Sequence, residues 1–237
     1  MNIKIAVIEF AGSNCDLDTL HVLKNVIDDV EADLVWHNHF KESKYDGVIL
    51  PGGFAFGDYL RAGIIAAHSP AIDEARIMLD DGRPVIGICN GFQILTEAQF
   101  LPGALLRNDS LKFICKWVNL QIVNNNTAFS NKMQLGDVCA LPIAHAEGRY
   151  FTDNLKELEE NNQIVFKYST EQGELTKEAN PNGSLENIAG ICNMEQNCIG
   201  LMPHPERASE AILSPKRTTH GKLFFESMIE FIKQRLS

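Results

Sequence analysis

Apolar and polar positions alternate in blocks along the first half of the chain. Residues 4–10 and 34–37 are short β-rich runs, and between them a helical pattern opens near Asp16, a capping-type residue. Residues 47–50 form a third apolar run, closed by Pro51-Gly52-Gly53. The spacing then predicts a helix over 69–81, a buried strand over 84–88 and a helix over 91–99. Strands alternating with helices predict a parallel sheet covered on both faces, with any site at the carboxyl ends of the strands.

The rhythm changes in the second half. Residues 117–123, 138–143, 164–168, 188–193 and 199–202 read as strands with little helix between them, while 124–127 and 180–184 are turn-rich. An amphipathic helix is expected over 221–235. No internal repeat or Pro/Ser-rich linker interrupts the chain, so residues 1–237 are expected to form one domain. The predicted fold class is α/β, with a mostly parallel central sheet flanked by helices.

Composition narrows the functions. An apolar fraction of 45% and a charged fraction of 22% are ordinary for a globular protein. The net charge of −10 argues against a nucleic-acid backbone or an anionic membrane as partner. Lys4 and Glu9 interrupt the opening apolar stretch, which therefore reads as a strand rather than a signal peptide. No run approaches the ~20 apolar residues that cross a bilayer, so a soluble protein is expected. Cys15, Cys89, Cys115, Cys139, Cys192 and Cys198 show no C-x-x-C pair and no zinc-type spacing. His37 and His39 lie two apart without a third ligand. No metal or cofactor is expected in this chain, and a reducing cytoplasm is its simplest location.

One cysteine stands apart. Pro84-Val85-Ile86-Gly87-Ile88-Cys89-Asn90-Gly91-Phe92-Gln93 runs from an apolar strand through Gly-x-Cys-x-Gly into a helix. That is the layout of a nucleophile elbow with cysteine in place of serine. The turn would put the sulfur at a helix N-terminus, where the dipole favours thiolate, and aim the Asn90 backbone N–H at an oxyanion. A buried cysteine in a tight βα turn explains the same residues, so the motif needs partners.

Pro203-His204-Pro205-Glu206-Arg207 supplies them, directly after the run 199–202. Pro205 favours extended backbone at His204, and residues two apart in an extended chain share a side. Glu206 could then orient one imidazole nitrogen and leave the other for a nucleophile. His145, in Ala144-His145-Ala146-Glu147-Gly148-Arg149, is a rival base or a substrate or partner contact. In Leu50-Pro51-Gly52-Gly53-Phe54, the glycines could turn a backbone donor at Gly53 or Phe54 toward the Asn90 donor, completing an oxyanion hole. A plain tight turn accounts for Gly52 and Gly53 as well. Phosphate-loop patterns are absent.

Together these segments resemble class I glutamine amidotransferases, whose pattern is a G-x-C-x-G-x-Q elbow with a late H-x-E pair. Cys89, Gln93, His204 and Glu206 occupy those positions. Gly12-Ser13-Asn14-Cys15-Asp16, Gly57-Asp58-Tyr59-Leu60-Arg61-Ala62-Gly63, Leu106-Arg107-Asn108-Asp109-Ser110 and Asn180-Pro181-Asn182-Gly183-Ser184 extend the resemblance across almost the whole chain. They direct it to a branch of stand-alone subunits in purine biosynthesis. The resemblance implies a flavodoxin-like amidotransferase fold, with Cys89, His204 and Glu206 catalytic and Gly52 and Gln93 contacting glutamine. It also implies two partners. A large synthetase subunit would hold ATP and magnesium and use the ammonia to convert formylglycinamide ribonucleotide to formylglycinamidine ribonucleotide, and a small third subunit would complete the complex. Alternatives are the glutaminase subunit of a different synthetase, an elbow-cysteine hydrolase of related fold, and a degenerate docking module. Ala11, Ala146 and Gln99 depart from the family pattern, at positions where proline, glycine and glycine are usual.

Overall fold

The computed structural model describes residues 3–236; Met1 and Asn2 of the opening stretch, and Ser237, lie outside them. Strand β1 (Ile3–Glu9) is buried over most of its length and pairs in parallel with β2 (Val30–Trp36) on one side and β3 (Gly47–Leu50) on the other. Strand β3 pairs in parallel with β4 (Val85–Ile88), and β4 with β11 (Cys198–Leu201). The last three are buried at every position, as strands covered on both faces must be, which is why they read as unbroken apolar runs. Helices α1 (Asp16–Asn25), α2 (Pro70–Asp80) and α3 (Asn90–Glu97) follow β1, β3 and β4 and flank this parallel half.

The nine-stranded sheet runs in the order β2-β1-β3-β4-β11-β10-β9-β6-β7. Beyond β11 the pairing turns antiparallel, through β10 (Ile188–Cys192), β9 (Ile164–Ser169), β6 (Ile114–Ile122) and β7 (Val138–His145). A separate two-stranded ribbon joins β5 (Ala104–Leu106) to β8 (Arg149–Phe151), followed by the short α4 (Leu155–Glu160). The closing helix α5 (Lys222–Leu236) buries Phe224 and Phe225 against Phe129 and Phe166, with ring centroids 5.1–5.8 Å apart. Those rings fill the core beneath the antiparallel half.

Most predicted elements lie within a few residues of their observed bounds. Strand β2 begins at Val30 rather than residue 34, because it is a sheet edge where Glu31 and Asp33 reach solvent and break the apolar run. The ribbon and α4 escaped prediction for a related reason: each is short and buries little. All six cysteines are free; Cys115 is exposed and the other five are buried. No helix among the described residues is long and apolar enough to cross a membrane.

One register decides where the site lies. Ile88 pairs with Leu201 across β4 and β11, so the chain leaves both strands side by side, at the same end of the sheet. The Cys89 N–H donates to the Leu201 carbonyl at 2.8 Å, extending the pairing into the turn. Helix α3 then packs so closely over β3 that a Cβ on Gly91 would stand 2.0 Å from the Leu50 carbonyl oxygen. A core-strand carbonyl cannot yield that space. Gly91→Ala is therefore expected to destabilise the fold by about 3 kcal/mol, read as a lowered thermal midpoint; an unchanged melting curve would contradict this packing.

Candidate active site

Cys89 adopts φ 51° and ψ −104°, a backbone conformation costly for any side chain that carries a Cβ. It is the last residue before α3, which consequently starts at Asn90 rather than at the predicted Gly91. The Asn90 N–H, in the first turn, has no intrahelical acceptor, as an oxyanion donor requires. The sulfur is largely covered, 3.8 Å from the Ala144 carbonyl at the end of β7.

His204 follows β11. Its N–H donates to the Pro142 carbonyl at 2.9 Å, and its Nδ1 meets Glu206 Oε1 at 2.6 Å with both side chains buried. His204 is extended, as expected, but Glu206 is not. Pro205 opens a 3-10 turn over Pro205–Ala208, and that turn, rather than strand alternation, aims the carboxylate. His204 Nε2 has no hydrogen-bond partner among the described residues. Burial disfavours a charged ring here, yet the Glu206 carboxylate, followed by the neighbouring Cys89, outweighs it and holds His204 well above the usual histidine range.

The glycine loop meets the start of α1. The Gly52 carbonyl accepts from Asn14 N at 3.2 Å and Cys15 N at 3.1 Å, and Phe54 N donates to the Gly12 carbonyl at 2.9 Å. Phe54 was one of two expected oxyanion donors. Its N–H is already engaged, so that assignment is corrected; this bridge leaves the Gly53 N–H unused, and Gly53 with Asn90 is the remaining donor pair. Gly52, expected to touch substrate, packs against the base: a Cβ there would lie 2.7 Å from His204 Cε1 and 3.1 Å from Cys15 Sγ. Gln93, the other expected substrate contact, is held within the chain. Its Oε1 accepts from Asn90 Nδ2 at 2.9 Å and its Nε2 donates to the Glu147 carbonyl at 2.6 Å, so its amide ties α3 to the segment after β7.

Several neighbours were not evident as site residues in the sequence. Arg207 Nη2 donates to Cys15 Sγ at 3.0 Å and lies behind the His204–Glu206 pair. One ligand atom each from Cys15, His204 and Glu206 lies within 4.8 Å of the others, but Arg207 puts a cation beside the thiol and Glu206 is bound to the imidazole. Only the block Gly12–Asp16 hinted at Cys15, through resemblance. His145, the rival base, is buried, and burial first, then the charge on His204, push it down to about 4. A ring that stays neutral is a poor proton donor at neutral pH. His37, by contrast, stacks on Phe10 at 5.4 Å and also packs against Trp36 and Phe56. Gln99 takes φ 60°, the left-handed region that explains the glycine usual there, while Ala11 and Ala146 lend only backbone carbonyls to Phe56 and Asn108.

A strained cysteine beside a buried histidine–glutamate pair is the arrangement that nucleophilic acyl transfer uses. A family model described as the CobB/CobQ-like glutamine amidotransferase domain matches residues 2–232. The chain belongs to this glutamine amidotransferase family. A relative from Methanosarcina mazei, named phosphoribosylformylglycinamidine synthase subunit PurQ, is 54% identical over 233 residues, covering 98% of this chain and 99% of its own. One of the same name from Aquifex aeolicus is 53% identical over 212 residues, covering 89% and 93%. A chain in the solved structure of PurLQS from Thermotoga maritima superposes with a TM-score of 0.84 at 40% identity, over 98% of this chain and 100% of that one. A glutamine amidotransferase from the same organism shares the fold, at a TM-score of 0.56 and 17% identity over 100% of this chain and 84% of that one.

The two histidines of this amidotransferase are expected to titrate in opposite senses. By imidazole NMR, His204 should remain protonated through neutral pH and His145 should remain neutral until about pH 4. Glu206→Gln removes the main support for the charged form while burial persists, so the His204 titration should move to lower pH. A His204 titration unmoved by that substitution would contradict the assigned coupling.

Proposed function

We propose that this chain is the glutamine-hydrolysing subunit of phosphoribosylformylglycinamidine synthase. One observation carries the chemistry: a strained Cys89 and the buried His204–Glu206 pair leave adjacent parallel strands at the same end of the sheet. The full-length relatives bearing that subunit's name carry the pathway. The Cys89 sulfur attacks the side-chain carbonyl carbon of glutamine, and the Asn90 and Gly53 amides hold the resulting oxyanion. His204, oriented by Glu206, gives a proton to the departing nitrogen, and ammonia leaves. The ring then takes a proton from water, whose oxygen attacks the thioester and frees glutamate and the Cys89 sulfur.

Residues 1–237 act as one amidotransferase domain, a reading supported by the family match over 2–232. The ammonia goes to a large synthetase subunit, which uses ATP and magnesium to aminate formylglycinamide ribonucleotide, and a small third subunit completes the complex. The similarity to a chain of the PurLQS structure supports these partners. Six free cysteines and the purine-biosynthesis relatives support a cytoplasmic location. Service to another synthetase is disfavoured by the relatives' shared name, and an elbow-cysteine hydrolase of related fold by the late histidine–glutamate pair.

Cys89→Ala is expected to abolish glutamine-dependent synthesis of formylglycinamidine ribonucleotide by the assembled complex while ammonia-dependent synthesis continues. Equal loss with both nitrogen sources would make Cys89 structural. Absence of product from the wild-type complex supplied with glutamine and ATP would refute the choice of synthetase.

A further inference from the structure

We propose that Arg207 is a positioning residue for the second half of the reaction, holding the His204–Glu206 pair ready to take a proton from water while the glutamyl thioester is in place. The inference rests on the glutaminase reading of Cys89 and adds a residue that acts through the pair. Among the described residues, Glu206 meets two cationic side chains: His204 Nδ1 lies 2.6 Å from its Oε1, and Arg207 Nε lies 3.9 Å from the same oxygen. The other oxygen, Oε2, is buried with no hydrogen-bond partner among the described residues. A buried carboxylate so placed depends on neighbouring positive charge.

The two cations differ in permanence. His204 is charged before attack, but giving its proton to the departing nitrogen leaves the ring neutral. Arg207 does not lose its proton in a protein. In the thioester stage it is therefore the one cation left beside Glu206 among the described residues. The same stage removes the Cys89 charge, which together with Glu206 supports the charged ring. A permanent cation and a vanished anion both disfavour uptake of a further proton by the pair. The ring thus stays neutral, the form that accepts a proton as the water oxygen bonds the thioester carbon and the C–S bond breaks to release the Cys89 thiolate. Without Arg207 the pair would more readily hold a proton from solvent, and a ring already protonated is no base.

The guanidinium is fixed in its place. Its Nη2 donates to Cys15 Sγ at 3.0 Å. Cys15 is held in turn by its N–H, which donates to the Gly52 carbonyl at 3.1 Å, and by its carbonyl, which accepts from Thr19 Oγ1 at 2.7 Å. Burial pushes the Cys15 thiol up, so it stays neutral and anchors the guanidinium without cancelling its charge. Asp18 Oδ2 lies 3.6 Å from Nε, but that side chain is half exposed and solvent screens it. The charged and titratable groups around the pair are Arg207 on its own turn, Cys15 and Asp18 from the start of α1, Cys89 from the elbow, and the neutral His145 from the end of β7. A cavity of about 360 Å³, lined in part by Trp117, Pro142 and Leu213, adjoins Glu206 and Arg207, so a small cation can reach the space that a shorter side chain would vacate.

The test uses the chain assembled with its synthetase subunits. Arg207→Met should lower kcat for glutamine hydrolysis about tenfold and lower KM with it, because slow thioester hydrolysis depresses both. Acid quenching in the steady state should find more glutamyl group on Cys89 than in the wild type, and raising the pH should recover much of the rate. Arg207→Lys should keep more of the rate than Arg207→Met, and added guanidinium should restore it in Arg207→Ala. KM and the thioester fraction per labelled Cys89 do not depend on how much of a variant folds, and Arg207→Lys carries the test if the others do not fold. Variants with the wild-type thioester fraction, or a lower kcat at unchanged KM with no rescue by guanidinium, would overturn the inference while leaving the glutaminase reading intact. A wild-type complex that forms no thioester, with Cys89 unlabelled by an electrophilic glutamine analogue, would overturn both.

Discussion

The parallel pairing of β4 with β11 is the contact on which the rest depends. Strands far apart in the chain lie side by side with Ile88 opposite Leu201, and each ends directly before a reactive segment. A one-residue slip would move every side chain of β11 to the opposite face and carry His204 away from Cys89. The register is held by burial, since both strands are covered on both faces and neither has a polar side to expose. Catalytic geometry here follows from core packing.

Around that contact the protein keeps its loops tied to one another. The glycine loop is sewn to the start of α1, α3 to the segment after β7 through Gln93, and His204 to β7 through Pro142. Strain at Cys89 can persist because its N–H is bonded to β11 and the next turn is wedged against β3. Gly52 belongs to the same logic. It has no side chain because the imidazole occupies the space one would need.

Two buried histidines in one site show how environment separates chemical roles. His204 has a carboxylate at 2.6 Å and is held in its charged form; His145 has no carboxylate partner and is held neutral by burial and then by the charge on His204. Both belong to His-x-Glu sequences, and spacing alone left them as rivals. The difference lies in where each glutamate points: Glu206 turns back to its histidine, whereas Glu147 reaches Arg107 and gives its carbonyl to Gln93.

The residue pattern by itself determined the alternation of strands and helices, the elbow at Cys89 and the candidacy of His204 with Glu206. Those features are local: burial on both faces makes an unbroken apolar run, and a tight βα turn selects glycine around the nucleophile. Tertiary structure decided which local candidates meet. It brought Cys15 and Arg207 behind the base, engaged the Phe54 amide elsewhere, and tied Gln93 to Asn90 and to the Glu147 carbonyl. No periodicity encodes such contacts. They arise because non-adjacent strand ends and their loops converge at one end of the sheet, where hydrogen-bond partners are chosen by proximity in space.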